Sequence, residues 1–408
     1  MAIEGMPAHA PAPAAATSTT HRSLAAAHAR LAAHDDAILR TQIAVAQIAA
    51  PTGEERERGE WMSRRFRDCG LSNVETDAAG NVIGRREGAL ALPPVVICAH
   101  LDTVFPRETD LAVRRDAERL VGPGINDNGR GLAVMLALAG EIDGVRVAAQ
   151  HPIEFVATTG EEGIGDLRGA KHYFATRGRD AHAMVALDGA GDERIIHRAL
   201  GSRRFRVSYA GPGGHSWAAF GVPNAVHAAA GAAARLASLH LPSAPRTTLS
   251  VGRIGGGLSV NSIPDSAWLE IDLRSTSAAQ LDDLERAVHR IAIAAAEEEN
   301  DKRAVGTRGL TVRVDCIGSR PCGETPAEHA LVQAAVEATR LVGRRPDLAL
   351  ASTDANVPIS QGIPAIAIGA GGRGGDAHTH AEWFDNANGT VGVARALTIV
   401  MSAARLSS

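Results

Sequence analysis

The sequence predicts an α/β fold with a mostly parallel sheet between helices, into which a second, ferredoxin-like α+β unit is inserted. Continuous apolar runs, typical of strands buried on both faces, occur at 95–99, 153–159, 183–187 and 364–368. Helical patterns separate these runs, as in sheets covered on both sides. The pattern changes near Gly201 and returns after about residue 326. The first unit is therefore predicted to be split in sequence around the second.

The first part of the chain begins with a helical pattern from about Asp36 to Leu71, which Pro51-Thr52-Gly53 interrupts. The strand at 95–99 precedes a second helical pattern at 131–139. The strand at 153–159 then leads to a short helix near 167–176, and the strand at 183–187 follows. This order predicts successive strand–helix units of one sheet.

The second part alternates polar and apolar residues at 203–209, as a half-exposed antiparallel strand does. The predicted elements that follow are a helix at 223–239, strands at 247–254 and 266–274, a helix at 278–298 and a strand at 310–315. Strand-helix-strand-strand-helix-strand is the ferredoxin-like order. The predicted domains are a disordered leader at 1–22, a first unit at 23–200 and 317–408, and an insert at 201–316.

Composition excludes several classes of protein. The formal net charge of the 408 residues is -4, so no basic field attracts nucleic acid, and aromatic residues make up only 3%. No apolar run reaches the roughly 18 residues of a membrane span. The four cysteines form no CxxC pair. Unpaired thiols and the absence of a signal-peptide pattern predict a cytoplasmic protein. The net charge, the few aromatic residues and the short apolar runs predict that it has no nucleic-acid or membrane partner.

Polar residues follow the predicted strands at the ends where parallel sheets bind ligands. These residues are His100, Asp102, Asp127, Glu161, Glu162, Asp188 and His378. Each has an ordinary explanation by itself, since an Asp after a strand commonly caps a helix or forms a turn. Together they would repel one another unless cations balanced them. Imidazole and carboxylate donors suit zinc, manganese or cobalt.

Five motifs carry a resemblance to a known family. They are His100-Leu101-Asp102, Gly124-x-x-Asp127-Asn128-x-x-Gly131, Thr159-Gly160-Glu161-Glu162, Leu187-Asp188-Gly189 and His378-x-x-x-Glu382-Trp383. In order and spacing, from about residue 50 to the C-terminus, the chain resembles the dinuclear zinc peptidases and amidohydrolases. That family includes glutamate carboxypeptidase, peptidase T, aminoacylase and succinyl-diaminopimelate desuccinylase. It implies a zinc-peptidase catalytic domain with an inserted lid and dimerisation domain.

The resemblance also implies two divalent ions, zinc first and cobalt or manganese as alternatives. His100 and Asp188 would bind one ion, Glu162 and His378 the other, and Asp127 would bridge them. The Asp127–Asn128 peptide bond would be cis. Asp102 would orient the His100 ring, a task that second-layer carboxylates perform at metal sites.

Glu161 would act as the general base of amide hydrolysis, since it stands beside a ligand but points away from it. In the insert, His215 of Gly213-Gly214-His215-Ser216 resembles a histidine that reaches across a dimer to the reacting oxyanion. Asn261, Arg274 and Thr353 would line the substrate pocket. The guanidinium group of Arg274 would bind a carboxylate of the substrate. The resemblance therefore implies a homodimer.

Several alternatives remain open at this stage. Residues 211–217, which include His215, and Phe220-Gly221 most resemble the peptidase T-like members of the family, which implies an exopeptidase or tripeptidase acting on a short peptide. An N-acyl amino acid deacylase is the rival. A metal- or peptide-binding protein without turnover is the rival from another class. His380 competes with His378 as ligand, although the spacing to Glu382 favours His378. The glycine-rich loop at 369–375 suggests dinucleotide binding only weakly, because it lacks the strand-to-helix context.

Overall fold

The computed structural model describes residues 14–142 and 149–404. The predicted leader, 1–22, falls partly outside these residues, and from Ala14 onward the chain belongs to the first helix. The helices are α1 (Ala14–Ala33), α2 (Asp35–Ala46), α3 (Arg56–Asp68), α4 (Gly129–Glu141), α5 (Arg168–Ala175), α6 (Ala225–Ala237), α7 (Ala278–Asp301), α8 (Ala330–Leu341), α9 (Asn356–Ser360) and α10 (Gly389–Ala403).

The strands fall into one large sheet, one four-stranded sheet of long strands, one four-stranded sheet of short strands and one two-stranded ribbon. They are β1 (Ser72–Thr76), β2 (Val82–Arg86), β3 (Val95–His100), β4 (Arg114–Asp116), β5 (Arg119–Val121), β6 (Ile153–Thr158), β7 (Ala183–Leu187), β8 (Arg194–Ala199), β9 (Gly201–Ala210), β10 (Gly214–His215), β11 (Thr247–Gly256), β12 (Ser262–Ile263), β13 (Ser266–Ser275), β14 (Thr311–Arg320), β15 (Gly323–Glu324), β16 (Asp347–Ala351), β17 (Ala365–Ile368), β18 (Arg373–Gly375) and β19 (Trp383–Asp385).

In the large sheet the order is β1-β2-β6-β3-β7-β17-β8-β15, with β16 also paired to β8. The central strands β6, β3, β7 and β17 are parallel, and Ile97 of β3 pairs with Phe155 on one side and Val185 on the other. The flanks are antiparallel, at β1, β2 and the β17–β8 and β8–β15 pairs. The sheet is thus parallel at its centre, as predicted, and mixed overall.

Helices cover both faces of the large sheet. Every residue of β3 is buried, and its alternate side chains enter two different cores. Ile97 packs with α4 residues such as Leu132, whereas Cys98 packs with α5 residues such as Tyr173. Burial on both faces explains the continuous apolar runs that predicted these strands.

The inserted residues form a second sheet in the order β11-β13-β9-β14, with every neighbouring pair antiparallel. Helices α6 and α7 pack on one face, where Val207 and Leu269 meet Ala228 and Leu284. This is the predicted ferredoxin-like arrangement. The last strand continues to Arg320, beyond the boundary at 316 that the sequence predicts.

The opposite face of this second sheet carries charged side chains. Arg274 and Arg320 both pair with Ser202, and Asp272 in the next row pairs with Arg204. Directly opposed residues share a face, so these arginines stand on the face that α6 and α7 leave open. No helix in the described ranges is both long and apolar enough to cross a membrane.

Candidate active site

The carboxyl ends of parallel strands bring the predicted ligands to one edge of the large sheet. His100 is the last residue of β3, Glu161 and Glu162 follow β6, and Asp188 follows β7. Because β3 lies between β6 and β7, these side chains emerge beside one another. His378 lies beyond β17, in the connection between β18 and β19.

Asp127 lies between the two histidines. Its Oδ1 is 2.9 Å from His100 Nε2, and its Oδ2 is 3.4 Å from His378 Nε2. The same His378 nitrogen is 2.8 Å from Glu162 Oε1. One ligand atom from each of His100, Asp127 and Glu162 lies within 4.8 Å of the others. These nitrogen and oxygen donors fit the divalent cations that the resemblance implies.

The two histidines of the 378–380 segment have different surroundings. His378 contacts the carboxylates of Glu162 and Asp127, whereas the ring of His380 lies against Phe105 with centroids 5.7 Å apart. The geometry therefore favours His378, the histidine that the spacing to Glu382 favours.

Asp102 is fully buried and holds the segment that carries the paired glutamates. Its carboxylate accepts hydrogen bonds from the backbone amides of Glu161 (3.0 Å) and Glu162 (2.9 Å), and from the Thr52 hydroxyl (2.9 Å). His100 Nδ1 is 3.0 Å from the Asp102 carbonyl oxygen and 3.6 Å from the carboxylate. Asp102 thus contacts the ring mainly through its backbone and the glutamates through its side chain.

The loop that carries Asp127 is fixed from below by Glu382. This buried carboxylate accepts hydrogen bonds from the amides of Gly124 (3.1 Å), Asn126 (2.8 Å) and Asp127 (2.7 Å). The Asp127–Asn128 peptide bond is cis, as predicted. The sequence motif includes Glu382, but only the folded chain reveals what its carboxylate does.

Acidic groups outnumber the cations within their reach at this edge. Burial, followed by the charge of Asp127, raises the pKa of Asp188 to about 7. Burial raises the pKa of Glu161 well above its usual value, against the opposing charge of Arg320. Buried carboxylates stay ionised when cations neutralise them. The site therefore has the charge and the donors to hold additional positive ions.

A cavity of about 540 Å³ opens above these residues. It is lined by His100, Val104, Asp127, Glu161, Glu162, Gly163, Asp188, Leu200, Arg204, Arg274, Arg320, Ala351, Ser352 and His378. Its lining combines carboxylates and imidazoles carried by the large sheet with the guanidinium groups of Arg204, Arg274 and Arg320 from the second sheet.

Arg320 is a cavity residue that the sequence reasoning missed. It donates to Glu161 Oε1 at 3.2 Å and also to the Glu161 carbonyl oxygen. The sequence pattern predicts that the last strand of the insert ends near residue 315, so Arg320 falls outside every predicted element. A bulge between Cys316 and Gly318 interrupts the alternation of β14 before Arg320, so no periodic signal marked this residue.

Three predicted residues lie away from the cavity wall. His215 and Asn261 lie together on the β10–β12 ribbon, where the Ser216 amide donates to the Asn261 carbonyl at 3.0 Å. Within the described chain, neither of them lines the cavity. Thr353 is buried, and its hydroxyl accepts a hydrogen bond from the Ala355 amide (3.2 Å) at the start of α9. Its neighbour Ser352 lines the cavity instead.

Comparison with solved structures supports the fold. The aminopeptidase PepT of Bacillus cereus ATCC 10987 superposes with a TM-score of 0.72 over 90% of this chain and 98% of that chain, at 23% identity. The YXEP protein of Bacillus subtilis, described as a dinuclear metal binding peptidase from the M20 family, superposes with a TM-score of 0.64 at 16% identity. That match covers 92% of this chain and 98% of that chain.

Comparison at the level of sequence identifies the family. The chain is 27% identical to the N-carbamoyl-L-amino acid amidohydrolase of Geobacillus stearothermophilus, over 84% of this chain and 89% of that protein. Residues 96–402 match the profile of peptidase family M20/M25/M40, and this span includes every predicted ligand. The chain therefore belongs to peptidase family M20/M25/M40 and is a hydrolase that acts on amide bonds.

Proposed function

We propose that this protein is a dimetal exopeptidase or tripeptidase that cleaves a short peptide with a free carboxylate. One observation carries the proposal. The two histidines, Asp127 between them, Glu161 and Arg274 all line one cavity. A substrate whose scissile amide lay at the histidines would present its anionic group to the guanidinium of Arg274.

His100 and Asp188 would hold one ion, Glu162 and His378 the other, and Asp127 would face both. We propose zinc as the native ion, with cobalt or manganese as alternatives, because the donors mix imidazole with carboxylate. When bound, the ions supply Lewis-acid charge that activates water and stabilises a developing oxyanion.

Glu161 would take a proton from the attacking water and pass it to the leaving amine. Its position supports this role, because it is only 7% exposed yet lines the cavity. Asp102 would hold the backbone of Glu161 and Glu162 in place, because its carboxylate accepts hydrogen bonds from both of their amides. Adjacent side chains of an extended segment point apart, which lets Glu162 face an ion while Glu161 faces the substrate.

Arg274 would bind the substrate carboxylate. Its side chain is 40% exposed, and Nε is paired with Asp272 at 2.7 Å, so the terminal nitrogens stay available for a bidentate contact. Asn261 would assist from the β10–β12 ribbon. Thr353 would act at the same pocket, where the neighbouring Ser352 already lines the wall.

His215 would act on the active site of a second copy in a homodimer. It is exposed, and its Nδ1 accepts the amides of Trp217 and Ala218, which leaves Nε2 as a donor. Light scattering should give a dimer, and an active monomer would contradict this role. We further infer a cytoplasmic location, which the unpaired cysteines of the described chain support.

An N-acyl amino acid deacylase is the second candidate. The amidohydrolase of Geobacillus stearothermophilus, whose name gives an N-carbamoyl-L-amino acid as substrate, supports it. Such a substrate also presents one amide and one carboxylate, so the same cavity would accept it.

The test is hydrolysis of dipeptides, tripeptides, N-acyl and N-carbamoyl amino acids, each with a free and an amidated carboxyl terminus. Metal-stripped protein is reloaded with zinc, manganese or cobalt, and Glu161→Gln is the matched control. We expect cleavage only of substrates with a free carboxylate, and a loss of about 10²–10⁴-fold in the variant. Retained turnover in Glu161→Gln with bound metal would overturn the assignment of the base.

A further inference from the structure

We propose that Arg320 is a positioning residue that fixes the orientation of Glu161 and ties it to the second sheet, β11-β13-β9-β14. The inference rests on the proposed role of Glu161 as general base. Arg320 belongs to none of the predicted motifs and is not a predicted metal ligand.

Arg320 holds Glu161 at two points. One guanidinium nitrogen donates to the Glu161 carboxylate at 3.2 Å, and the other donates to its carbonyl oxygen. The first nitrogen also lies 3.3 Å from the Ser352 hydroxyl. Arg320 itself is 6% exposed, so these contacts form in a largely dry environment. A planar fork that binds both the side chain and the backbone of one residue restricts its rotamer and its peptide together.

The same sheet holds the rest of the segment that follows β6. Arg204 of β9 donates to the Gly163 carbonyl oxygen at 2.6 Å. The Ser319 amide of β14 donates to both carboxylate oxygens of Asp166 at 2.9 Å. From the other side, Asp102 accepts the amides of Glu161 and Glu162. Residues 161–166 are therefore held between the two sheets, and a shift of the second sheet would displace the base.

The partners of Arg320 distinguish it from Arg274, although both line the cavity. Arg274 is 40% exposed and pairs with Asp272 through Nε alone. Both terminal nitrogens of Arg320 already bond within the protein. A substrate carboxylate would have to displace Glu161 to bind Arg320. Loss of Arg320 should therefore lower kcat, whereas loss of a substrate-binding arginine should raise KM.

The experiment compares Arg320→Met and Arg320→Lys in the metal-loaded full-length protein. Arg313→Met is the matched control, since Arg313 stands on the same strand, its side chain is 76% exposed, and among the described residues it forms an ion pair only with Asp315. We expect Arg320→Met to lower kcat about 100-fold, with KM within about threefold of wild type, because small misplacements of a catalytic group have effects of this size. Arg320→Lys keeps the positive charge but loses the planar guanidinium that donates through two nitrogens at once, and it should lower kcat about tenfold. Arg313→Met should behave as wild type.

Hydrogen–deuterium exchange supplies a readout besides activity. Amides of residues 160–166 should exchange faster in Arg320→Met and Arg320→Lys than in wild type or Arg313→Met, while the bound-metal content of each protein stays unchanged. Unchanged protection of this segment would overturn the proposal, as would loss of metal from the Lys variant.

The kinetic outcomes separate this proposal from the function on which it rests. A wild-type protein that cleaves nothing in the substrate panel refutes the proposed function. An active wild type, an inactive Glu161→Gln and an unaltered Arg320→Met would overturn the positioning role alone. A raised KM with unchanged kcat would overturn it too and make Arg320 a substrate-binding residue. If Arg320→Met does not fold, Arg320→Lys decides, because wild-type kcat there contradicts the proposal.

Discussion

The two ends of strand β6 each bear a buried glutamate, and their partners differ. Glu154, near the start of the strand, is 2% exposed, and Glu161, just after its end, is 7% exposed. The Glu154 carboxylate bonds Arg177 at 2.9 and 3.0 Å, Arg85 at 2.8 Å and the Tyr173 hydroxyl at 2.6 Å. In the part of the chain that the structure describes, the Glu161 carboxylate contacts one arginine, Arg320, and lies near the carboxylates of Asp188 and Asp354.

The pKa directions follow from these partners. Burial alone would raise the pKa of Glu154, but the hydrogen bonds and charge of Arg177, with Tyr173 and Arg85, hold it below its usual value. Burial raises the pKa of Glu161, and one arginine does not offset this. Burial of a carboxylate therefore does not identify an active site. The shortage of nearby cations does, because it marks where further positive charge is needed.

Metal removal should have the largest effect, and it should act at the Glu161 end of β6 rather than at the Glu154 end. Chelation should lower amide hydrolysis at least about 10³-fold, because the ions supply the Lewis-acid charge. It should also lower the unfolding free energy by about 3–4 kcal/mol relative to protein in a 100–1,000-fold excess of metal over Kd. Calorimetry and hydrolysis assays before and after reloading test both effects. A melting temperature insensitive to added zinc would contradict the interpretation of the acidic edge.

Glu154→Gln should act on stability and leave catalysis intact. Removing the charge leaves Arg177 and Arg85 without their buried partner, and we expect the unfolding free energy to fall by about 3 kcal/mol. Turnover per folded molecule should stay within about twofold of wild type. Urea unfolding and active-site titration measure these quantities. Glu75→Gln is the control, since Glu75 also bonds Arg177 but its side chain is 55% exposed, and it should cost less than about 1 kcal/mol.

The pH dependence of stability should show the smallest effect. A carboxyl whose folded-state pKa is depressed stabilises the protein above its unfolded pKa, and this contribution is lost as pH falls through the folded value. The stability difference between wild type and Glu154→Gln should therefore be full at pH 7 and shrink in acid, below the ordinary glutamate range. Urea midpoints measured from pH 7 to pH 3 test the sign. A difference that grows in acid would show that Glu154 is not held ionised by its arginines.

Much of the fold was predictable because the buried strands are long apolar runs. Strand β7 has the predicted bounds, 183–187, and β6 and β17 end within a residue of theirs. The pattern gave no sign of the short or flanking strands, such as β1 and β16, whose residues are mostly exposed or half-buried. Helix α10 was also missed, although most of its residues are buried.

The sequence by itself determined which residue types stand at the strand ends, and hence the proposed metal-ligand chemistry and the family. The family resemblance also implied the cis peptide bond after Asp127, and the spacing to Glu382 favoured His378 over His380. Only the tertiary structure decided which partners these groups have. Glu382 beneath the Asp127 loop and Arg320 against Glu161 are separated from their partners by more than 150 residues in sequence. The periodicity of the sequence predicts the helix or strand to which a residue belongs. Ion pairing depends instead on which distant elements the fold brings together.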